Sequence, residues 1–515
     1  YIMLELRDLT IETINGKPLV SNLDLVLNED DKMAVIGEEG NGKSTLLKAI
    51  YNSKEIERYC YLSGEVLKDD LIIGYLEQSL NTKWDNSYVY EYFLKDSPEE
   101  DIDIERYEKL NDIARELAKI GVSPEILESE RVIGTLSGGE KVKIQIAKLL
   151  THNPDILLLD EPTNDLDIET LEWLEDFIIH SNIPIIFVSH DETLLEGTAN
   201  LILHIEYVKT QKKARHTLFR GDYKTYVERR TTEIQKREQD FEREKREYLE
   251  AKQKLGHRKS IVKSAQERIK DSSVRRRLNK EMHVIKAREK VIEGRRQTQK
   301  LETEDPIYFS FDEDSVLPNG KRIIELDLDE LKIGDKVLAK NIELDVYGPT
   351  KVGIIGTNGV GKTTLLKEIN KRLADRDDIK VGYMPQNYSE VLNDEDVVMD
   401  YLVRDLDEID FDMIAAFIGR IKLNWDEMNS RIENLSYGQK AKVILLKMML
   451  DKKNVLLLDE PTRNLSALSN PVIREVLKDF EGCIIGISHD RKFLKEVCDV
   501  VYKLEPDGLK KTEIK

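Results

Sequence analysis

In both halves of the chain, short continuous apolar runs alternate with segments whose apolar residues follow the spacing of a helix. Continuous apolar runs are typical of strands that are buried on both faces of a parallel sheet. The clearest runs are DKMAVIG, DILLLD and IPIIFVSH in the first half, and TKVGIIG, NVLLLD and CIIGISH in the second half. The pattern therefore predicts an α/β fold in which a mostly parallel sheet is flanked by helices.

The two halves repeat one pattern of motifs. GEEGNGKST, beginning at Gly37, matches GTNGVGKTT, beginning at Gly356, and the run LLLDEPT occurs once in each half. A repeat of this length predicts two tandem copies of one domain. The predicted bounds of these copies are 1–221 and 306–515, with a mainly helical subdomain at about 79–150 and no large inserted arm.

The segment between the copies has apolar residues at every seventh position, a spacing that is typical of a coiled coil. The first row contains Val227, Ile234, Phe241, Tyr248 and Leu255, and the second row contains Leu278, Ile285 and Ile292. The two rows predict an antiparallel helical hairpin over residues 222–305. The residues that we expect at its tip lie between the rows, and they are His257, Arg258, Lys259, Ser260, Ile261, Val262 and Lys263.

The charge of the chain is distributed unevenly. The whole chain has 79 basic and 99 acidic residues and a formal net charge of −20, but residues 222–300 contain 25 basic and 14 acidic residues. A basic hairpin would therefore separate two acidic domains. A basic segment gains free energy from nucleic-acid phosphates, whereas acidic surfaces are repelled by them. The charge distribution favours a phosphate-rich partner for the hairpin alone.

Several classes of protein are disfavoured by the sequence. No apolar run approaches the roughly 20 residues that a membrane-spanning helix requires. The three cysteines, Cys60, Cys483 and Cys498, are far apart and form no CxxC pair, which excludes a disulfide framework, an iron–sulfur domain and a zinc ribbon. We therefore expect a cytoplasmic protein that does not cross a membrane.

A GxxxxGK[ST] motif follows an apolar strand in each copy, and this context is typical of a phosphate-binding loop. Backbone N–H groups of such a loop face the phosphates, and its lysine, here Lys43 or Lys362, reaches the β- and γ-phosphates. The predicted ATP-binding residues of the loops are Gly37, Glu38, Gly40, Asn41, Gly42, Lys43, Ser44 and Thr45, and Gly356, Asn358, Gly359, Gly361, Lys362, Thr363 and Thr364.

An Asp-Glu pair follows the LLL run in each copy. We expect Ser44 with Asp160, and Thr363 with Asp459, to bind Mg²⁺, because hydroxyl and carboxylate oxygens are its usual protein ligands. The adjacent glutamates, Glu161 and Glu460, are predicted to polarise the water that attacks the γ-phosphate.

These motifs, together with LSGGE at Leu136–Glu140 and LSYGQ at Leu435–Gln439, resemble those of proteins with two ATP-binding cassettes. In that family each nucleotide lies between the phosphate loop of one cassette and the LSGGE-type motif of the other. The resemblance implies that Ser137, Gly138 and Gly139 contact the nucleotide of the second cassette, and that Ser436, Tyr437 and Gly438 contact that of the first. It also implies that Gln78 and Gln386 sense Mg²⁺ and water, and that His190 and His489 contact the γ-phosphate.

Within that family, the basic hairpin, the two SHD motifs and DEPTNDLD resemble the ABC-F translation factors. The resemblance implies a monomer with an intramolecular cassette dimer that binds the exit site of the bacterial ribosome. Its hairpin would approach rRNA, the P-site tRNA and the peptidyl transferase centre. The near-absent arm, LSYGQ and DEPTRNLS resemble the antibiotic-resistance members of the family. A housekeeping factor for stalled ribosomes and a tandem ATPase subunit of a sugar importer are the alternatives.

Three features depart from the family pattern. Neither TIETING nor DELKIGD contains the aromatic residue that often stacks on adenine, which predicts weak base selectivity. Tyr437 replaces a glycine of the LSGGE-type motif, and Ser466 stands where the first copy has Asp167. Both residues are expected opposite Lys43, so we expect the two ATP sites to be unequal.

Overall fold

The computed structural model describes residues 2–68, 70–164, 166–208, 212–268, 272–293, 316–406, 414, 425–463 and 465–513. Both repeats lie in one compact unit, and the segment that begins at Thr225 forms another. The predicted boundary between residues 305 and 306 lies outside the described residues.

The first repeat is built on a six-stranded sheet in the order β5-β6-β7-β3-β8-β9, in which only β9 runs antiparallel to its neighbour. A separate antiparallel sheet has the order β2-β1-β4. The strands are β1 (Ile2–Thr13), β2 (Pro18–Asn28), β3 (Lys32–Ile36), β4 (Cys60–Leu67), β5 (Ile73–Leu76), β6 (Ile156–Asp160), β7 (Ile185–Val188), β8 (Leu201–Val208) and β9 (Lys213–Arg220). The helices are α1 (Lys43–Asn52), α2 (Val89–Leu94), α3 (Leu110–Lys119), α4 (Gly138–Leu150), α5 (Ile168–His180) and α6 (Glu192–Thr198).

The linking segment and the second repeat supply the remaining elements. The helices are α7 (Tyr223–Arg268), α8 (Ser272–Glu293), α9 (Lys362–Leu373), α10 (Val398–Val403), α11 (Trp425–Met428), α12 (Tyr437–Leu450), α13 (Asn470–Asp479) and α14 (Arg491–Glu496). The strands are β10 (Arg322–Ile333), β11 (Lys336–Tyr347), β12 (Lys351–Ile355), β13 (Val381–Met384), β14 (Val455–Asp459), β15 (Cys483–Ile487), β16 (Val500–Glu505) and β17 (Gly508–Thr512). The six-stranded sheet has the order β13-β14-β15-β12-β16-β17, which repeats the first topology, and β10 pairs with β11.

The predicted α/β class is confirmed, and burial explains why these runs form central strands. Every residue of β3, β6 and β7 is buried, as is every residue of β14 and β15. Parallel strands that are covered on both faces need apolar side chains at every position. The loops that carry the motifs follow the carboxyl ends of these strands, where ligands of open α/β sheets bind.

The two repeats differ between the phosphate loop and the predicted glutamine. Lys43 and Gln78 are 35 residues apart, whereas Lys362 and Gln386 are 24 apart. The longer segment of the first repeat contains β4, which pairs with β1. In the described residues of the second repeat, no strand lies between α9 and β13.

The predicted helical subdomain of the first repeat is built from α2, α3 and α4, with short 3₁₀ turns between them. Its core contains Trp84, Tyr92, Phe93 and Leu117. The corresponding part of the second repeat includes residues 407–413 and 415–424, which lie outside the described residues.

The linking segment is an antiparallel helical hairpin, as predicted. The first helix, α7, is 46 residues long, so that at about 1.5 Å per residue it spans roughly 70 Å. Arg258 Nη2 lies 2.9 Å from Glu281 Oε1, and Lys259 Nζ lies 2.7 Å from Glu289 Oε2. These contacts, and a bond of 2.9 Å from Gln266 Nε2 to Asn279 Oδ1, join α7 to α8.

The predicted tip of the hairpin is wrong. Residues 257–263, from His257 to Lys263, lie inside α7, which continues to Arg268. The sequence carried the signal for this continuation, because Val262 follows Leu255 by the same seven-residue step as the preceding apolar residues. A glycine such as Gly256 costs a helix only about 1 kcal/mol, and the continued packing outweighs that cost.

Two adjacent residues of the hairpin allow a matched test of this packing. Val262 is 4% exposed and Ile261 is 56% exposed. An aspartate at position 262 would bury a charge, so we expect Val262→Asp to lower the protection of α8 amides against hydrogen exchange at least tenfold, about 1.4 kcal/mol. Ile261→Asp is expected to leave that protection unchanged. Equal exchange in the two variants would contradict the packing described for this hairpin.

Candidate functional site

Each phosphate loop ends in a glycine with a left-handed backbone. Gly42 has φ 89° and Gly361 has φ 107°, and α1 and α9 begin at the following lysines, Lys43 and Lys362. This backbone conformation strongly favours glycine. It turns the chain directly into a helix whose first N–H groups face the loop, which is an arrangement that binds anions.

The loop lysines lie at the mouth of each loop. Lys43 Nζ donates to Gly37 O at 2.8 Å and to Glu38 O at 3.0 Å. Lys362 Nζ donates to Gly356 O at 2.7 Å. Carbonyl oxygens therefore hold each ammonium group where it can reach a phosphate bound in the loop.

The residues predicted to bind Mg²⁺ lie together in both repeats. Ser44 Oγ donates to Asp160 Oδ1 at 2.9 Å, and Thr363 Oγ1 donates to Asp459 Oδ2 at 2.8 Å. Burial raises the pKa of both aspartates, and these hydrogen bonds oppose the rise. A hydroxyl and a carboxylate are hard oxygen donors that fit Mg²⁺, which normally binds one or two carboxylates together with substrate phosphates.

Glu161 accepts hydrogen bonds from several side chains. Gln78 Nε2 lies 3.1 Å from Oε2, Asn164 Nδ2 lies 2.7 Å from Oε2, and His190 Nε2 lies 3.4 Å from Oε1. Burial alone would raise the pKa of Glu161, but its contacts with His190, Asn164 and Lys43 lower it to about 2. Glu161 is therefore ionised at neutral pH.

Glu460 has a different environment. It accepts a hydrogen bond of 3.2 Å from the backbone N–H of His489, and its Oε1 lies 3.5 Å from His489 Nε2. Burial raises the pKa of Glu460. Burial and the positive charge of Lys362 lower the pKa of His489 to about 3. The equivalent groups of the two repeats thus differ in charge environment.

The backbone is strained at both glutamates. Glu161 has φ 48° and Glu460 has φ 54°. A left-handed backbone costs a residue with a long side chain free energy, and such strain is concentrated at functional sites. The same conformation recurs in both repeats because the same turn follows β6 and β14.

The LSGGE-type motifs begin helices in both repeats. Glu140 N donates to Ser137 Oγ at 3.2 Å at the start of α4, and Gln439 N donates to Ser436 Oγ at 3.3 Å at the start of α12. These serines are therefore N-caps. A Cβ atom on Gly139 would lie 2.3 Å from Thr170 Oγ1, so that close packing against α5 requires glycine there.

The predicted residues surround two cavities. A cavity of about 550 Å³ lies at the second phosphate loop, and one of about 480 Å³ lies at the first. The predicted residues that line the second cavity are Gly138, His190, Asn358, Gly359, Gly361, Lys362, Thr363, Thr364, Gln386, Asp459, Glu460 and His489. Those that line the first cavity are Gly40, Gly42, Lys43, Ser44, Thr45, Gln78, Glu161 and His190.

Other predicted residues lie outside the cavity walls. Those that do not line either cavity are Gly37, Glu38, Asn41, Asp160, Gly356, Ser137, Gly139, Ser436, Tyr437 and Gly438. Asn41 Nδ2 donates to Ile205 O at 3.2 Å. Tyr437 contacts its own repeat, because its hydroxyl donates to Gln386 O at 3.1 Å and its ring centroid lies 4.4 Å from that of Tyr388.

Tyr59 was missed by the sequence analysis. It lines the first cavity with Thr13, Lys17 and Leu19, and its side chain is hydrogen-bonded to Thr45. An aromatic residue was expected upstream of the phosphate loop, whereas Tyr59 follows the loop in the sequence. The pairing of β4 with β1 brings it to the cavity.

Two further residues were missed. Asn164 and Arg463 occupy equivalent positions in DEPTND and DEPTRN, and both line both cavities. Local sequence does not reveal this arrangement, because each residue reaches the cavity of the other repeat only after the repeats associate.

A buried ion pair joins the repeats beside the two histidine motifs. Arg474 Nη1 lies 2.6 Å from Glu192 Oε1, and Arg474 Nη2 donates to Glu192 Oε2 at 3.1 Å. Arg474 also lies 3.7 Å from Asp490. Since Glu192 and Asp490 follow His190 and His489 closely in the sequence, the pair fixes the two histidine segments to each other.

The family of this chain follows from its similarity to known proteins. The ABC transporter family profile matches residues 20–164 and 339–463, which together make up just over half of the chain. The chain belongs to the ABC transporter family. Membership implies that the two repeats are cassettes that bind and hydrolyse ATP. In the part of the chain that the structure describes, no helix has the length and apolar character needed to cross a membrane.

Several relatives match almost the whole chain. ABC transporter F family member 5 of Arabidopsis thaliana is 25% identical over 96% of this chain and 74% of its own. ATP-binding protein Uup of Escherichia coli K12 is 26% identical over 96% of this chain and 79% of its own. These matches, which cover almost all of this chain, support the assignment to the ABC-F family with tandem cassettes.

A solved structure has the same fold. A chain in the crystal structure of the complex of archaeal ribosomal stalk protein aP1 and archaeal ribosome recycling factor aABCE1 superposes with a TM-score of 0.59. The two chains are 17% identical, and the match covers 98% of this chain and 89% of the other. This likeness confirms the tandem-cassette fold.

The position of Tyr59 generates a prediction for nucleotide binding by the first cassette. Stacking of an aromatic side chain on a nucleotide base is worth about 1–3 kcal/mol. We therefore expect Tyr59→Ala to weaken ATP binding at the first site roughly tenfold, and Tyr59→Phe to retain it. Equilibrium binding in a Lys362→Ala background isolates that site.

Tyr61 provides the matched control, because it lies two residues away on β4, is 66% exposed and does not line the cavity. Tyr61→Ala is expected to bind ATP normally. A similar loss in both variants would show that the effect comes from β4 as a whole and not from the Tyr59 ring.

Proposed function

We propose that this protein is a cytoplasmic, monomeric ABC-F ATPase that protects the bacterial ribosome from antibiotics. In its ATP-bound closed state it enters the ribosomal exit site. Its hairpin lies near rRNA, the P-site tRNA and the peptidyl transferase centre, where it dislodges the bound drug. Hydrolysis of ATP then releases the protein.

The basic surface of the hairpin carries this proposal. The described basic residues of α8 that are exposed are Arg276, Arg277, Lys280, Lys286, Arg288 and Lys290. A row of exposed cations gains free energy from RNA phosphates, whatever the base sequence. Arg258 and Lys259, in contrast, are bound to Glu281 and Glu289 within the hairpin. The proposed RNA contact therefore shifts from the predicted tip to α8.

A similar solved structure supports the ribosome as the proposed partner. The solved structure with a similar fold contains a protein that is described as an archaeal ribosome recycling factor. The relatives named above include an F family member that covers nearly the whole chain. The tandem cassettes and the basic helix α8 of this chain are consistent with such a partner.

The residues of the first site have distinct proposed roles. Lys43 and the loop N–H groups bind the phosphates, and Ser44 and Asp160 would hold Mg²⁺, which neutralises phosphate charge when bound. Glu161 orients the attacking water, because Asn164 and His190 fix its carboxylate. Lys362, Thr363, Asp459, Glu460 and His489 have the equivalent roles at the second site.

The resistance role is supported by features of the cassettes. Residues 70–164 of the first cassette contain no large inserted arm, and Tyr437 in LSYGQ lies against the Gln386 segment of its own cassette. We propose that these features serve ribosome protection. A housekeeping role in stalled translation would use the same sites and the same hairpin.

The double variant Glu161→Gln/Glu460→Gln tests the proposal. Loss of both carboxylates is expected to slow hydrolysis at least a hundredfold while ATP still binds, so the closed protein stays on the ribosome. We expect this variant to co-sediment with ribosomes in ATP and not in ADP. Lys43→Ala/Lys362→Ala, which removes the phosphate contacts, is the control that is expected not to co-sediment.

The same assay tests the hairpin. Arg276→Glu/Arg277→Glu/Lys280→Glu, added to the trapped variant, is expected to lower ribosome affinity at least tenfold and to reduce its salt dependence. The charge-matched control changes three lysines that are exposed on the cassettes, Lys54, Lys371 and Lys478, to glutamate.

Failure of the trapped variant to bind ribosomes, with recovery of a membrane permease instead, would favour the importer alternative.

A further inference from the structure

Arg463 lies between the two nucleotide cavities. It belongs to the second cassette, in the turn after β14, and its backbone N–H donates to Glu460 O at 3.2 Å. Asn164 occupies the same turn of the first cassette, where its N–H donates to Glu161 O at 3.2 Å. The two turns have the same geometry, but one carries a neutral amide and the other a cation.

The wall of the first cavity is formed almost entirely by residues of the first cassette. Among the residues that the structure describes, Arg463 is the one lining residue of that cavity that comes from the second cassette. It shares the wall with Lys43, Ser44, Glu161 and His190. The LSGGE-type motif of the second cassette does not line this cavity, whereas Gly138 of the first cassette lines the second cavity.

Arg463 also acts within its own cassette. It lines the second cavity with Glu460 and His489, and its positive charge influences both groups. Asn164, in contrast, donates its side-chain amide to Glu161 at 2.7 Å. The second cassette therefore places a permanent cation where the first cassette places a neutral donor.

We propose that the Arg463 guanidinium binds the γ-phosphate of the nucleotide held by the first cassette. A guanidinium remains charged at all physiological pH values and can donate two parallel hydrogen bonds to a phosphate. It thereby supplies the first site with a contact from the opposite cassette. The proposal rests on ATP binding at the first cavity, and it does not depend on the ribosome.

The proposal makes coupling between the sites directional. Occupation of the first site by ATP fixes the Arg463 turn, and that turn begins at Glu460 of the second site. At the second cavity, the equivalent position among the first-cassette residues is Asn164, which has no charge to attract a γ-phosphate. The first site would therefore control the second more strongly than the second controls the first.

Nucleotide affinities of the first site test this assignment. In a Lys362→Ala background, the dissociation constants of ADP and of a non-hydrolysable ATP analogue are measured for Arg463→Ala, Arg463→Asn and Arg463→Lys. Loss of a charged hydrogen bond is expected to weaken binding of the analogue about tenfold to hundredfold. ADP, which lacks the γ-phosphate, is expected to bind within twofold of the parent, and the lysine variant is expected to recover part of the loss.

The ADP measurement also reports whether the first site is intact in each variant. Arg404→Ala removes one cation from the same cassette at a position that lines neither cavity, and it is expected to change neither affinity. An unchanged affinity for the analogue, or an equal loss of analogue and ADP affinity in all three variants, would overturn the proposal. Ribosomes are absent from this assay, so failure of the ribosome proposal would leave its result standing.

Discussion

The bidentate ion pair between Arg474 and Glu192 is the interaction on which the arrangement of the two cassettes depends. Both side chains are almost fully buried, at 3% and 5% exposure, so neither charge is solvated by water. Such a pair adds little net stability compared with apolar residues, but loss of one partner leaves a buried charge and is strongly unfavourable. The interface therefore tolerates few alternative arrangements.

The position of the pair links it to the chemistry. Glu192 begins α6 next to the SHD motif of the first cassette, and Arg474 reaches Asp490 of the second SHD motif. Lys492 adds a contact of 3.3 Å to Glu192. Because the histidine segments are fixed to each other, a change in one nucleotide site can be transmitted to the other over a short path.

The two sites are built from the same motifs but are not equivalent. In the first cassette, Asp167 caps α5 through a bond of 3.0 Å from Thr170 N, whereas Ser466 contacts Ser469 at the equivalent position. Together with the different surroundings of Glu161 and Glu460, these contacts give each site its own electrostatics. Unequal sites were expected because of Tyr437 and Ser466. The structure adds Tyr59, which is far from both in the sequence, and Arg463, which precedes Ser466 in the same DEPTRNLS segment.

The fold and the motif residues were predictable because they depend on local patterns. Continuous apolar runs such as those of β6 and β14 specify buried parallel strands, and GxxxxGK[ST] specifies the loop before α1 and α9. Residues whose role depends on association could not be predicted. Arg474 and Glu192 lie 282 residues apart, and nothing in either local sequence identifies the other as its partner. The hairpin tip was predicted between the two apolar rows, whereas the heptad position of Val262 continues the first row and keeps residues 257–263 inside α7.

The most direct test of this account is the distance between the cassettes, measured by electron paramagnetic resonance with spin labels at the exposed positions Glu57 and Lys371. Arg474→Met is expected to broaden and lengthen the distance distribution, because Glu192 then lacks its main partner. The double variant Arg474→Met/Glu192→Leu removes both charges and is expected to restore the narrow distribution. An unchanged distribution in Arg474→Met would show that the cassettes are held together by other contacts and would contradict the account.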